Sequence, residues 1–143
     1  MSGTDGVKRI EVAIALVWRD GRWLVTRRAA GTHLAGFWEF PGGKLARGET
    51  AEACAVREVA EETRVVVTAR ARRHAIEWSY PERIVTLHPV TCAWVSGDGE
   101  CVEVADLRWV TPAELAALEF PPANAALVAS LTAEAGDAVT HGR

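Results

Sequence analysis

Residues 43–65 read Gly43-KLARG-Glu49-TAEACAV-Arg57-Glu58-Val59-Ala60-Glu61-Glu62-Thr63-Arg64-Val65, directly after the glycine-rich turn Pro41-Gly42-Gly43. A helix over 50–63 places Glu58, Glu61 and Glu62 at i, i+3 and i+4, so that their carboxylates share one face. Three like charges packed together are unfavourable unless something positive sits among them. Hard divalent cations, which prefer oxygen ligands, fill that role. The plain alternative is a solvated helix face with Arg57 and Glu61 as an i,i+4 ion pair. Thr50 is the expected N-cap, Glu52 complements the dipole in the first turn, and Ala53, Val56 and Ala60 form the expected core-facing stripe.

On the N-terminal side, Ile10, Val12, Ile14, Leu16 and Trp18 alternate with Glu11, Ala13, Ala15 and Val17. That pattern predicts a strand buried heavily on both faces. Asp20-Gly21 is a hairpin signal, and 23–28 is the returning strand. Residues 29–36 read as a loop and 37–40 as a short extended piece. Downstream, 70–80 and 83–95 read as strands around Pro81-Glu82, with Pro89 marking a bulge or an edge. A further strand covers 107–110, after a turn at 96–99. Thr111-Pro112-Ala113-Glu114 combines a capping box with proline at the first helical position. The final helix is expected over 122–133. No repeat or linker interrupts the chain, which predicts a single domain over 1–143 with flexible termini at 1–7 and 134–143.

The chain has 143 residues, enough for one domain with a real core. Its net charge of -3 argues against nonspecific binding of nucleic-acid polymers or membranes by bulk electrostatics. An anionic ligand must then be drawn in by local basic side chains or by metal. Cys54, Cys92 and Cys101 lack CxxC spacing and suggest free thiols in a reducing compartment, with Cys54 as small core filler. No apolar run approaches the roughly 18 residues of a membrane span, and no signal-peptide pattern opens the chain. A cytoplasmic protein is the expectation. Oligomeric state is not readable.

The offsets in 43–65 resemble the Nudix box, Gly-x5-Glu-x7-Arg-Glu-hydrophobic-x-Glu-Glu-x-Gly-hydrophobic. Each fixed position matches except the last glycine, which here is Arg64. The segments Thr26-Arg27-Arg28-Ala29-Ala30, His33, Glu39-Phe40-Pro41-Gly42-Gly43-Lys44, Pro81-Glu82-Arg83 with Thr86-Leu87, and Phe120-Pro121-Pro122-Ala123-Asn124 are similar to the MutT branch of that family, the oxidised-guanine nucleotide diphosphatases. The resemblance covers roughly 8–132 and implies an α/β/α sandwich, a mixed β-sheet between helices. It favours the metal reading of the acidic helix over the solvated one. It implies that Glu58, Glu61 and Glu62 bind Mg²⁺ (or Mn²⁺) with the Gly42 carbonyl and the distal Glu103. It also implies that Arg57 pairs with Glu49 and holds the turn against the helix. A nucleoside triphosphate would be split into a monophosphate and pyrophosphate, with Glu58 the first choice of general base and Glu103 the second. Arg28, Arg83 and Lys44 would meet the nucleotide, and Phe40 would line the base pocket. His33 receives no role. The six tryptophans are core by default, although Trp78 could border the pocket. Arg64 should occupy a left-handed conformation at the helix end, where a side chain costs about 1 kcal/mol.

Asn124 bears on the base. Guanine offers two acceptors, O6 and N7, whereas an asparagine amide offers one donor and one acceptor. Oxidation at C8 turns N7 into an N–H donor, so the oxidised edge matches Asn124 and ordinary guanine opposes acceptor to acceptor. The plain alternative is an asparagine that merely ends chain after Pro121-Pro122. Two other functions stay open: a Nudix pyrophosphohydrolase for CTP, dCTP or another nucleotide, and a domain that recognises oxidised guanine without catalysis.

Overall fold

The computed structural model describes residues 7–31 and 35–140, with side chains described through 132. The expectations for residues 1–6 and 141–143, and the unassigned His33, lie outside the described residues.

Strand β1 (Lys8–Arg19) organises the sheet. It pairs in parallel with β7 (Arg83–Ser96) and antiparallel with β2 (Arg22–Arg27). The Asp20-Gly21 turn closes the β1–β2 hairpin with both residues at positive φ, 49° and 81°, the twist that a two-residue hairpin requires. Strand β3 (Trp38–Glu39) and strand β8 (Asp106–Val110) flank β2, while β5 (Val66–Arg72) and β6 (Ile76–Tyr80) flank β7. The sheet is therefore mixed, with eight strands among the described residues.

The alternation in β1 divides the interior into two cores. Ala13, Ala15 and Val17 meet Ala51, Cys54, Ala55 and Val59 of helix α1 (Ala51–Thr63) on one face. Ile14 and Leu16 meet Trp38, Phe40, Leu115, Leu127 and Leu131 on the other, where α2 (Pro112–Ala117) and α3 (Ala125–Thr140) pack. Small residues on the first face let a helix lie close, and large ones fill the second. The expected arrangement of helices on both faces of a mixed sheet is what forms.

Four local expectations change. The core stripe of α1 is Ala51, Cys54, Ala55, Val59 and Thr63, with Val56 partly buried against it and Ala53 and Ala60 exposed, because the sheet sits beside the acidic face and buries Glu62 with it. Gly42–Lys44 forms a strand, β4, antiparallel to β1 with Ala13 opposite Gly43, where a turn was expected. The single strand expected over 70–80 is two, β5 and β6. They meet β7 on either side of Pro89, with β6 reaching Leu87 and β5 starting at Val90. A proline cannot donate to a ladder, and in the gap its carbonyl accepts from the Arg73 amide at 2.9 Å. The last helix begins later than expected, after a 3-10 turn at Pro122–Asn124, and runs past 133.

The caps of α1 follow the sequence. Thr50 accepts from the Ala53 amide at 3.1 Å. Arg64 ends the helix at φ 65°, its amide donating to the Ala60 carbonyl at 2.9 Å. A side chain there is strained by about 1 kcal/mol. Arg64→Gly should therefore raise unfolding free energy by about 1 kcal/mol in a urea titration. A loss of stability would show that the Arg64 side chain makes compensating contacts.

Candidate active site

Strand β4 is the hinge of the site. A methyl group on Gly42 would overlap the Ala13 carbonyl oxygen, and one on Gly43 would stand 2.5 Å from Cδ of Glu58. Neither glycine has positive φ. They are needed for close approach: strand against strand at Gly42, strand against helix carboxylate at Gly43.

Arg57 ties the helix to this strand. Its Nε and Nη2 hold Glu49 at 2.8 and 2.9 Å, its Nη1 reaches Glu58 at 2.9 Å and Glu61 at 3.1 Å, and Nη2 reaches the Lys44 carbonyl at 3.4 Å. Bonds from Arg57 and from the Ala46 amide hold the Glu49 carboxyl down at about 2. The expected Arg57–Glu49 pair is present, and Arg57 also gathers two further acidic side chains. The Cys54 thiol points at the Gly43 and Lys44 carbonyls, and burial pushes it up to about 11, so it is filler rather than a thiolate.

Glu62 is different. It is 9% exposed, and its Oε1 is buried without a hydrogen-bond partner among the described residues. Burial first, then the neighbouring Glu58 carboxyl and the negative charge of Glu39, push its carboxyl up to about 9. A buried carboxylate oxygen with no protein donor costs free energy unless a cation or a proton meets it. The donor set around it, all oxygen, suits a hard divalent ion and no soft one.

Glu62 opens into a cleft of about 470 Å³. Gly42, Glu103, Arg28, Phe40, Lys44, Arg83 and Asn124, all singled out in the sequence, line the same cleft. Glu103 arrives on a loop pinned to the end of α1. The amides of Val102 and Glu103 donate to the Glu62 carbonyl at 3.1 and 3.3 Å, and that of Glu100 to the Thr63 carbonyl at 2.8 Å. Helix-end carbonyls without internal partners are thereby satisfied, and the loop is registered on the acidic end. Phe40 is 2% exposed and stacks 5.2 Å from Phe120. The guanidinium of Arg83 lies 5.1 Å from the Tyr80 ring centre. Asn124 ends the 3-10 turn with its amide N–H on the Pro121 carbonyl, and among the described residues its side chain takes no hydrogen-bond partner. It serves no cap.

Glu58 and Glu61 are not brought into the lining. Arg57 draws both toward itself, with the Glu61 side chain 48% exposed. Among the described residues no three acidic, histidine or cysteine side chains converge on one point. Like charges stay apart and take the nearest guanidinium.

Sequence reasoning missed Glu39. Its carboxyl faces the cleft, bonded through Oε1 to Nη1 of Arg28 at 2.9 Å, and burial pushes it up against the opposing pull of Arg28. Its position before Phe40-Pro41-Gly42-Gly43 was the available signal, but strand alternation alone does not separate a cleft-facing carboxylate from a solvated one. Ile10, Val12, Ile14, Val85 and Leu87 form an apolar floor that also escaped notice, because they read as ordinary core. Trp78, expected to border the pocket, lines it and is 37% exposed.

The chain is similar to known proteins in sequence and in fold. A sequence model of the NUDIX domain matches residues 12–130. The chain is 32% identical over 126 residues to the 8-oxo-dGTP diphosphatase of Escherichia coli (strain K12), covering 87% of this chain and 98% of that protein. It is 34% identical over 119 residues to the CTP pyrophosphohydrolase of the same organism, covering 83% and 87%. Its fold superposes on the MutT protein of Methanosarcina mazei Go1 with a TM-score of 0.77 at 24% identity, covering 90% and 95%.

Because the Glu62 carboxyl moves from its ordinary 4.5 up to about 9, the folded chain holds a proton that the unfolded chain releases. Stability of the metal-free protein should then fall as pH rises from about 4.5 to about 9. Glu62→Gln should remove this fall. Melting temperatures in EDTA across that window check it, and a wild-type profile identical to the variant's would refute the buried-carboxyl argument.

Proposed function

The chain belongs to the NUDIX domain family, and from that premise we propose that it is a Mg²⁺-dependent nucleoside triphosphate pyrophosphohydrolase. Its preferred substrate is an oxidised guanine nucleotide, 8-oxo-dGTP cut to 8-oxo-dGMP and pyrophosphate. The observation that carries the substrate choice is Asn124, whose side-chain amide has no partner among the described residues and lies in the same cleft as Glu62, Glu103 and Arg28.

Glu62, Glu103 and the Gly42 carbonyl, which line the cleft, would hold the cation, with Glu58 and Glu61 joining them on release from Arg57; the cation would supply positive charge against the polyphosphate and acidify the attacking water. Every other role belongs to this chain's own groups. Arg28, Lys44 and Arg83 bind and orient the nucleotide along the cleft. Glu58, held by Arg57 against Gly43, accepts the proton of the water, with Glu103 the second candidate. Arg57 acts as a positioning residue, fixing Glu58 beneath Gly43. Phe40 and the apolar floor take the base, and Asn124 offers N–H to O6 and C=O to the N7–H of the oxidised ring. Unoxidised guanine presents an acceptor to that carbonyl, and an unmatched buried pair discriminates strongly.

The relative that acts on CTP favours a second reading, in which the same machinery cuts a pyrimidine triphosphate. An assay of pyrophosphate release across canonical and oxidised triphosphates separates the two. Preference for 8-oxo-dGTP over dGTP is the expected result, and a higher kcat/KM for CTP or dCTP would overturn it. Absence of turnover with any triphosphate would favour a recognition domain.

Asn124→Ala should lower the preference for oxidised over normal guanine by about 10²-fold while sparing kcat. Equal losses on all nucleotides would make Asn124 structural. Glu61→Gln and Glu62→Gln should each cut kcat by about 10²-fold or more with folding intact. Near-normal rates in both would remove the metal cluster from the mechanism.

A further inference from the structure

We infer that Glu39 and Arg28 form an exchangeable ion pair through which cation binding and nucleotide binding assist each other. The inference rests on the reading of Glu62 as a cation ligand and Arg28 as a nucleotide contact, and it adds Glu39 as a functional side chain of the cleft.

Three observations support it. Arg28 Nη1 and Glu39 Oε1 lie 2.9 Å apart, with side chains 31% and 26% exposed, and both residues line the cleft that Glu62 enters. The negative charge of Glu39 acts on Glu62, so the two carboxylates feel one field. Among the described residues Glu39 is bonded through Oε1 alone, whereas the backbone of Arg28 is anchored at both ends, its amide on the Phe37 carbonyl at 3.0 Å and its carbonyl under the Gly36 amide at 3.3 Å. The side chains can therefore change partners while the strand stays in place.

The charge logic follows. In the closed pair, a carboxylate stands beside the guanidinium that a phosphate must reach, and repels that phosphate. The guanidinium in turn screens Glu39 from a cation. Binding of a divalent ion at Glu62 favours Glu39 turning from Arg28 to the ion, which removes the repelling carboxylate from the guanidinium that a phosphate meets. Both ligands break the same pair, so whichever binds first lowers the cost for the other. Such coupling is reciprocal by thermodynamic necessity. A partly exposed pair contributes little to folding, which is why it can be exchanged.

The test is calorimetric titration of the intact chain with 8-oxo-dGMP, and in parallel with CMP, in EDTA and in magnesium. Wild type should bind its preferred monophosphate about tenfold more tightly in magnesium. Glu39→Gln should bind it more tightly than wild type in EDTA, since the repelling charge is gone, and should lose most of the magnesium gain. Glu39→Asp, which keeps the charge, should retain that gain. Arg28→Gln should bind weakly in both media. A merely structural Glu39 would give Glu39→Gln weaker binding in both media with the gain intact, and this result overturns the coupling. If Arg28→Gln leaves affinity unaltered, the nucleotide role of Arg28 fails and the coupling falls with it.

Discussion

Helix α1 lies on the sheet at a distance set by small residues, and the rest of the site depends on that closeness. Ala13 and Ala15 on β1 face Ala51, Cys54 and Ala55 on the helix, all buried. Between them β4 enters on two glycines that have no room for a side chain. Packing at interior density without Cβ atoms brings backbone and carboxylate together, so that Glu58 lies against Gly43 and Glu62 against the cleft. A bulkier contact at any of these positions would lift the helix and separate the acidic groups from strand β4.

Closeness creates an electrostatic problem, which the chain handles in two ways. Arg57 takes Glu49, Glu58 and Glu61 onto one guanidinium, and its fork geometry suits several carboxylate oxygens at once. Glu62 takes no part in that network, and among the described residues its buried Oε1 has no hydrogen-bond partner. The network thus neutralises the side of the cluster that faces the turn and leaves the side that faces the cleft under-compensated. Buried negative charge in a cleft that Arg28, Lys44 and Arg83 also line matches a ligand that carries cations on its phosphates.

How much of this could be read in advance depends on the range of the interaction concerned. The α1 caps, the Asp20-Gly21 hairpin and the Thr111–Glu114 capping box are local, and each is legible because neighbouring residues settle it. The left-handed Arg64 was expected on other grounds, because the resembled family carries a glycine at that position. The division of 66–80 into two strands was not, since the cause lies in Pro89 on a strand that follows later in the chain. Nor was the strand at Gly42–Lys44: Pro41-Gly42-Gly43 looks like turn chemistry, and only the proximity of β1 and Glu58 explains the glycines. Fixed offsets within 43–65 singled out the acidic residues, but their fates differ by contacts from other segments. Glu62 is buried by the sheet, Glu61 is left to solvent and Arg57, and Glu39 joins them from β3.

The loop at 100–103 shows how the two ends of the site are kept in register. A helix must leave its last carbonyls without internal partners, and most helices give them to water or to a cap. Here the amides of Glu100, Val102 and Glu103 take the carbonyls of Thr63 and Glu62, so the helix end and the loop complete each other. Farther along, the Ala105 amide donates to the Arg27 carbonyl at 2.9 Å, next to Arg28. One short segment therefore spans from the acidic residue at the end of α1 to the strand that carries the cleft's arginine. The distance between the charge that would hold a cation and the charge that would meet a phosphate is set by backbone hydrogen bonds rather than by the long side chains themselves. Side-chain exchange between Glu39 and Arg28 can then occur on a frame that does not move.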